Sequence, residues 1–275
     1  MGHGRRTVVT VVSLVSLSCA SAAATFHSAH AAAQPAVVAL RSTDVPARAA
    51  AVAGGPTVVA LGDSVPAGSA CACRNFVSDY GDLLSRGLGH QIAVTNFAQG
   101  GLQTTDVLAQ LKQPAVRRAL DDATTVVLMV GANDFYRPFK RVRAGAKKSA
   151  VYGAAARRVQ RNVEQTIRQI RALHDGPVTI VVLGYWNVVK DGKVGRHDYG
   201  AAGVKAAKSA TGWANGALKA AAQSGHAVFV STYRAFKGTD GRKDPTQLLV
   251  SDGDHPNAAG HRLLAQTVQA VLPRG

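Results

Sequence analysis

Acidic residues, cysteines and aromatic rings are scarce in this chain. Its 275 residues hold 16 Asp and Glu against 32 Lys and Arg, and only three cysteines, two methionines and two tryptophans. The shortage of acid leaves a formal net charge of +16, a surface drawn to anions such as nucleic acid, anionic lipid or an acidic cell-wall polymer. Sulfur is too sparse for a metal centre: C-x-C at Cys71 and Cys73 supplies two ligands, and no H-E-x-x-H or second cysteine pair completes it. No metal is therefore expected. A phosphate-cradling G-x-x-x-x-G-K-[ST] loop is absent, and "GANDFYRPFK" at 131–140 does not replace it. G-x-S-x-G is absent too, which excludes the nucleophile elbow of the α/β-hydrolases. No cofactor is expected.

Long apolar runs are also missing. Val8 to Ala24 is broken by Ser13, Ser16, Ser18 and Cys19, and is shorter than the roughly 20 apolar residues of a spanning helix. With "MGHGRR" before it and a small-x-small site at Ala29-His30-Ala31 after it, residues 1–31 read as a secretory signal. Arg5 and Arg6 loosely fit a twin-arginine signal and fit an ordinary positive start equally well. Residues 32–55, rich in Ala and Pro, read as a linker, and 56–275 as one domain with room for a sizeable core. A secreted protein, extracellular or held at the cell wall, and a monomer, is the expectation. Removing the signal takes Cys19 away, and an oxidising compartment favours a disulfide between Cys71 and Cys73 over two free thiols.

What is present is a rhythm of short apolar runs. Thr57–Leu61, Ile92–Phe97, Thr124–Val130, Pro177–Leu183 and Ala227–Ser231 are rich in Val, Ile or Leu with little alternation, as in strands covered on both faces. Helical patterns separate them. Val159, Val163, Thr166, Ile167, Ile170 and Leu173 form one stripe, with Arg157, Arg158, Arg161, Arg168 and Arg171 on the other side. A closing helix follows Pro256, with Leu263, Leu264, Val268 and Val271 at helical spacing. Alternating strands and helices imply a parallel sheet between two helical layers, with ligands outside the carboxyl ends of the strands.

The reactive residue types fall at those ends. Ser64 follows the first run in "GDS", Gly100 and Gly101 the second in "NFAQGG", Asn133 the third in "GAND", and Asp252 and His255 the last in "DGDH". Ester cleavage needs such a set: a hydroxyl nucleophile, an imidazole to take its proton, a carboxylate to orient the imidazole, and donors for the oxyanion. Asp three residues before His can accept from Nδ1 and leave Nε2 toward Ser64. Asp254 competes as the acid, but adjacency turns its side chain elsewhere, and Asp63 is read as ordering the Ser64 turn.

These four blocks, in this order over residues 57–272, resemble the GDSL or SGNH hydrolase family. The resemblance implies a flavodoxin-like three-layer α/β/α sandwich with a five-stranded parallel sheet, and hydrolysis of esters, including lipids, thioesters and acetylated carbohydrates. It makes Ser64 the nucleophile, His255 the base and Asp252 its acid. It also assigns the oxyanion hole to the amides of Ser64 and Gly101 and the side chain of Asn133, with Gly100 as the alternative to Gly101.

The segment after Asn133 is basic and aromatic. From Arg137 to Arg171 there are eleven Lys or Arg against Glu164 alone, and Phe135, Tyr136, Arg137 and Phe139 are expected to rim the substrate pocket. A solvated helix face explains the same charge. Without a long apolar lid pattern, small or medium acyl esters are favoured, ahead of a lipase or phospholipase or a carbohydrate acetylesterase. The non-enzymatic alternative is a basic protein that binds polyanions or the cell wall. Such a partner, or an anionic lipid surface, fits the charge, and no specific nucleic-acid motif is present.

Overall fold

The computed structural model describes residues 55–272. The signal at 1–31 and all but the last residue of the 32–55 linker lie outside them. In chain order the elements are β1 (Thr57–Gly62), α1 (Ser64–Ala67), α2 (Phe76–Leu88), β2 (Ala93–Asn96), α3 (Thr104–Gln110), α4 (Pro114–Asp121), β3 (Thr125–Met129), α5 (Ala132–Arg143), α6 (Lys148–Ala172), β4 (Thr179–Leu183), α7 (Gly192–Ser224), β5 (Val228–Val230), α8 (Thr232–Lys237) and α9 (Ala258–Val271).

All five expected strands form, and they pair in parallel in the order β2-β1-β3-β4-β5. The sheet is the flavodoxin-like three-layer α/β/α arrangement. Right-handed crossovers leaving β1 in one direction and β3 in the other place helices on both faces, α2 with α9 and α5 with α6 and α7. The order reverses between β1 and β3, and the crevice there is where such sheets hold ligands. Ser64 follows β1 and Asn133 follows β3, so the topology sets them on either side of that crevice.

Burial follows the sequence pattern where a strand is central. Val58 to Leu61, Val126 to Met129 and Ile180 to Leu183 are nearly inaccessible. β2 departs from the expectation of two covered faces: at the sheet edge, Ala93, Thr95 and Asn96 are exposed and Val94 half-buried. Val94 packs closely under α2, where a Cβ on Gly81 would meet its methyl group. On α6 the apolar stripe is buried from Val159 to Ile170, Leu173 past its end is half-buried, and Arg157, Arg158, Arg161 and Arg168 are exposed. Arg171 departs from that face: its guanidinium donates to the carbonyls of Gly225 at 3.1 Å and His226 at 2.8 Å, joining the end of α7 to the approach of β5. The closing helix begins after Asn257, whose side chain accepts from the amides of Ala259 and Gly260. Leu264 and Val268 are buried, whereas Val271, at the last turn, is 47% exposed.

α7 is two helices in one run. Gly200 has φ 62° and ψ −178°, a conformation closed to other residues, and breaks it after Tyr199.

Candidate active site

The first loop frees a serine hydroxyl. Gly62 holds φ +150°, and a Cβ there would run into the carbonyl of Met129, so only glycine lets β1 end this close to β3. Asp63 then donates its amide to that carbonyl at 3.0 Å and caps α1, its side chain accepting from the Val65 amide at 3.2 Å. Because Asp63 takes the capping position, Ser64 opens α1 with its hydroxyl uncommitted to the cap. Tyr185, at the end of β4, donates its hydroxyl to the other oxygen of Asp63. Burial pushes the Asp63 carboxyl up to about 7, against the pull of the Tyr185 and Val65 hydrogen bonds.

The second and third loops are tied together. Asn133 donates one amide hydrogen to the Leu102 carbonyl at 2.9 Å, which fixes the plane of its side chain at the pocket wall. Asp134 beside it is buried and accepts from the amide and hydroxyl of Thr104, both at 2.9 Å, while Arg158 approaches it at 3.5 Å. Burial raises the Asp134 pKa, and Thr104 and then Arg158 oppose the rise. Gly101 holds φ +84° in open space, so the backbone angle rather than crowding calls for glycine. A Cβ on Gly100 would stand 3.1 Å from the Ser69 hydroxyl and 4.0 Å from the Ser64 Cβ, so Gly100 is the glycine packed against the serine. Neither glycine lines the pocket itself.

The last loop presents the imidazole. His255 Nδ1 lies 2.7 Å from Asp252 Oδ2, and the amides of His255 and Asp254 donate to Asp252 Oδ1 at 3.0 and 2.7 Å. Burial would raise the Asp252 pKa, but these three donors outweigh it and hold the carboxyl below its ordinary value. Between the two residues Gly253 has φ +72°, and a Cβ there would stand 2.5 Å from that of Val194. Its carbonyl accepts from the Asp191 amide at 2.6 Å, and the Asp191 carboxylate is held by Lys237 at 2.7 Å. The histidine loop is thus bolted to the starts of α7 and the end of α8.

Ser64, Asn133 and His255 line one cavity of about 250 Å³. Among the described residues no hydrogen bond joins Ser64 Oγ to His255 Nε2; catalytic bonds of this kind commonly tighten only when substrate is bound. The fold beneath these loops matches known proteins. The GDSL-like Lipase/Acylhydrolase family matches residues 60–263, most of the chain. The chain belongs to that family. This GDSL-like acylhydrolase is accordingly a carboxylic ester hydrolase. It is 23% identical to the spore germination lipase LipC of Bacillus licheniformis over 217 residues, 77% of this chain and 94% of that protein. Among solved structures it is similar to the lipase Lip_vut3 from a goat rumen metagenome (TM-score 0.63, 20% identity, 78% of this chain and 97% of that one). It is also similar to a catalytic mutant of Axe2, an acetylxylan esterase from Geobacillus stearothermophilus (TM-score 0.57, 18% identity, 80% and 95%).

The rim of this acylhydrolase differs from the expected one. Phe135 and Phe139, four residues apart on α5, face inward and are buried: Phe135 packs against Tyr152 and Phe139 meets Tyr199 edge-on at 5.0 Å. Arg137 is exposed and away from the cavity. Of the four rim residues expected, only Tyr136 lines the pocket, on the face of α5 turned away from the core. Asp63, Val65 and Ala132 join it from the first and third loops, and the opposite wall comes from the loop after β4, with Trp186, Asn187 and Lys190, and from Tyr199 and Asp254. The signal for that loop was its position alone: "GYWNVVK" follows the fourth strand as the other blocks follow theirs. Trp186 is buried and stacks on Phe236 at 4.2 Å, whereas Trp213 is 40% exposed on α7.

Cys71 and Cys73 lie side by side with Cα atoms 5.1 Å apart, within disulfide range. His261 is close to both sulfurs, but its Nδ1 accepts from the Phe76 amide at 3.2 Å. That bond leaves the proton on the other ring nitrogen, so the three side chains do not offer a metal a ligand set.

Proposed function

We propose that this protein is a secreted serine esterase that works through an acyl intermediate on Ser64 and favours small or medium acyl groups. The observation that carries the reading is the His255–Asp252 pair, 2.7 Å apart, facing a cavity shared with a serine whose hydroxyl is not spent on capping its own helix. His255 Nε2 takes the Ser64 proton as Oγ adds to the ester carbonyl. Asp252 accepts the Nδ1 hydrogen and stabilises the imidazolium. The oxyanion is received by the Ser64 amide, the free amide hydrogen of Asn133 and an amide of the glycine loop, Gly101 or its neighbour Gly100. The tetrahedral adduct collapses, the imidazolium gives its proton to the departing alkoxide, and the alcohol leaves. Water, deprotonated by the same imidazole, then attacks the acyl-serine and releases the acid.

The cavity volume supports the preference for short acyl groups over a long lipid chain. The charged start and apolar run of residues 1–31 support export, and an oxidising destination supports a Cys71–Cys73 disulfide. The exposed arginines of α6 support attraction to an anionic wall or lipid surface. A monomer remains the reading of quaternary state.

The test is hydrolysis of p-nitrophenyl acetate and octanoate by the purified protein and by Ser64→Ala, alongside labelling with a fluorophosphonate. Loss of turnover and of label together in the variant is expected, with acetate preferred to octanoate. A folded protein that turns over esters equally well without Ser64 would overturn the reading.

A further inference from the structure

We infer that the pocket selects esters carrying an ammonium group close to the scissile bond on the alcohol side, and that Asp254 is the residue that recognises it. The inference deepens the esterase reading and rests on Ser64 being the nucleophile.

The argument begins with charge. The molecule carries a formal +16, yet Lys190 is the one Lys or Arg among the described residues that line the cavity beside Ser64. Each other ionisable group around it is accounted for. Lys190 Nζ is paired with Asp198 at 2.7 Å, and Asp252 is paired with His255. Asp63 is buried between the Tyr185 hydroxyl and the Val65 amide, where burial favours its neutral form. Asp254 alone lines the cavity with neither an ion pair nor a hydrogen bond to its carboxylate among the described residues.

Among the described residues no basic side chain is paired with it. Burial raises the Asp254 pKa and Asp252 adds to the rise, while His255 and the already paired Lys190 pull the other way. A partly buried carboxylate without a counter-ion costs free energy that a cationic ligand removes on binding. The walls are aromatic as well: Tyr136, Tyr199 and Trp186 border the same space, and the first two rings already draw cations, Lys140 lying over Tyr136 at 5.5 Å and Arg143 over Tyr199 at 4.9 Å.

Position assigns the side of the ester. Asp254 adjoins His255, the residue that hands a proton to the leaving alcohol, whereas Asn133 and the glycine loop hold the carbonyl oxygen from the second and third strand ends. A cation on the alcohol therefore comes to Asp254, and one far out on the acyl chain does not. Asp254 is a specificity residue and takes no part in bond making.

Acetylthiocholine and its uncharged isostere, 3,3-dimethylbutyl thioacetate, test this directly by thiol release. The expected result is a kcat/KM about tenfold higher for the cation, the size of one charge-assisted contact. That ratio should fall to near one in Asp254→Asn. Because it compares two substrates on one protein, a loss of folded material in the variant cancels. Added salt sharpens the test. It screens the repulsion of a cation by the distant positive surface more than it screens a contact inside the pocket, so the ratio is expected to hold or rise. Equal turnover of the two esters by the unsubstituted protein would overturn the inference and leave the esterase intact. Absence of turnover and of fluorophosphonate labelling would overturn both.

Discussion

At the scale of single residues, the site separates groups that react from groups that hold them. Asn133 has one amide hydrogen committed to Leu102 and one left to give. Asn133→Ala is expected to lower kcat about 10²- to 10³-fold with little change in KM, as for other oxyanion donors, measured on p-nitrophenyl acetate. Asp252→Asn keeps the shape but not the charge that orients the imidazole, and a fall on the order of 10⁴-fold in kcat is expected. A different histidine makes stability depend on pH. His261 is wholly buried, and burial followed by the nearby His255 lowers its pKa from 6.5 to about 4. The folded protein thus keeps this ring neutral while the unfolded chain protonates it, so stability is lost as pH falls from about 6.5 toward 4. Asp63, raised to about 7, acts in the opposite direction, because its folded form binds the extra proton as pH falls. The contribution of His261 therefore shows as a difference: from pH 6.5 to 4 the native protein should lose on the order of 3 kcal/mol relative to His261→Gln in urea unfolding.

At the scale of elements, α5 shows what a sequence reveals and what it hides. That "GAND" closes β3 and opens a helix was readable, because an apolar run ends there in Gly and Asn. Which aromatic of "DFYRPF" would face the cavity was not, since nearness to Asn133 says nothing about the direction of a helical face. The 3.6-residue period puts Phe135 and Phe139 together and Tyr136 elsewhere, and the core lay on the phenylalanine side. The two positions should answer differently to truncation. Phe135→Ala is expected to cost about 3–5 kcal/mol in denaturant unfolding, as buried rings do. Tyr136→Ala, 53% exposed, should leave the unfolding midpoint nearly unchanged and raise KM. The loop after β4 was hidden for another reason. Its residues reach the pocket from the far side of the crevice, and only the strand order places them opposite Ser64. By contrast, the strand-end blocks carrying Ser64, Asn133, Asp252 and His255 were readable because each sits where a parallel sheet must place its ligand-facing loops. The choice of Asp252 over Asp254 as partner of the histidine was readable too, from a spacing of three against one.

At the scale of the whole molecule, charge is distributed in two opposed ways, a basic exterior and a pocket wanting a cation. The exposed Arg157, Arg161 and Arg168 on α6 belong to the exterior. Co-sedimentation with anionic vesicles is expected at low salt and should vanish at high salt, where charges more than about 3 to 8 Å apart cease to feel one another. Ser64→Ala should bind the vesicles as the parent does, since none of these arginines lines the cavity of Ser64. Retention that ignores salt would remove the electrostatic account. The same scale gives the sheet a consequence for the life of the chain. Ser64 leaves the first strand and His255 comes after the fifth, with β3 and its asparagine between them. A ribosome makes these parts in that order, so under the proposed mechanism a nascent chain holds its nucleophile long before its base. On that mechanism the enzyme is silent while it is being made, and each turnover it later performs reports a molecule whose last loop has closed on its first.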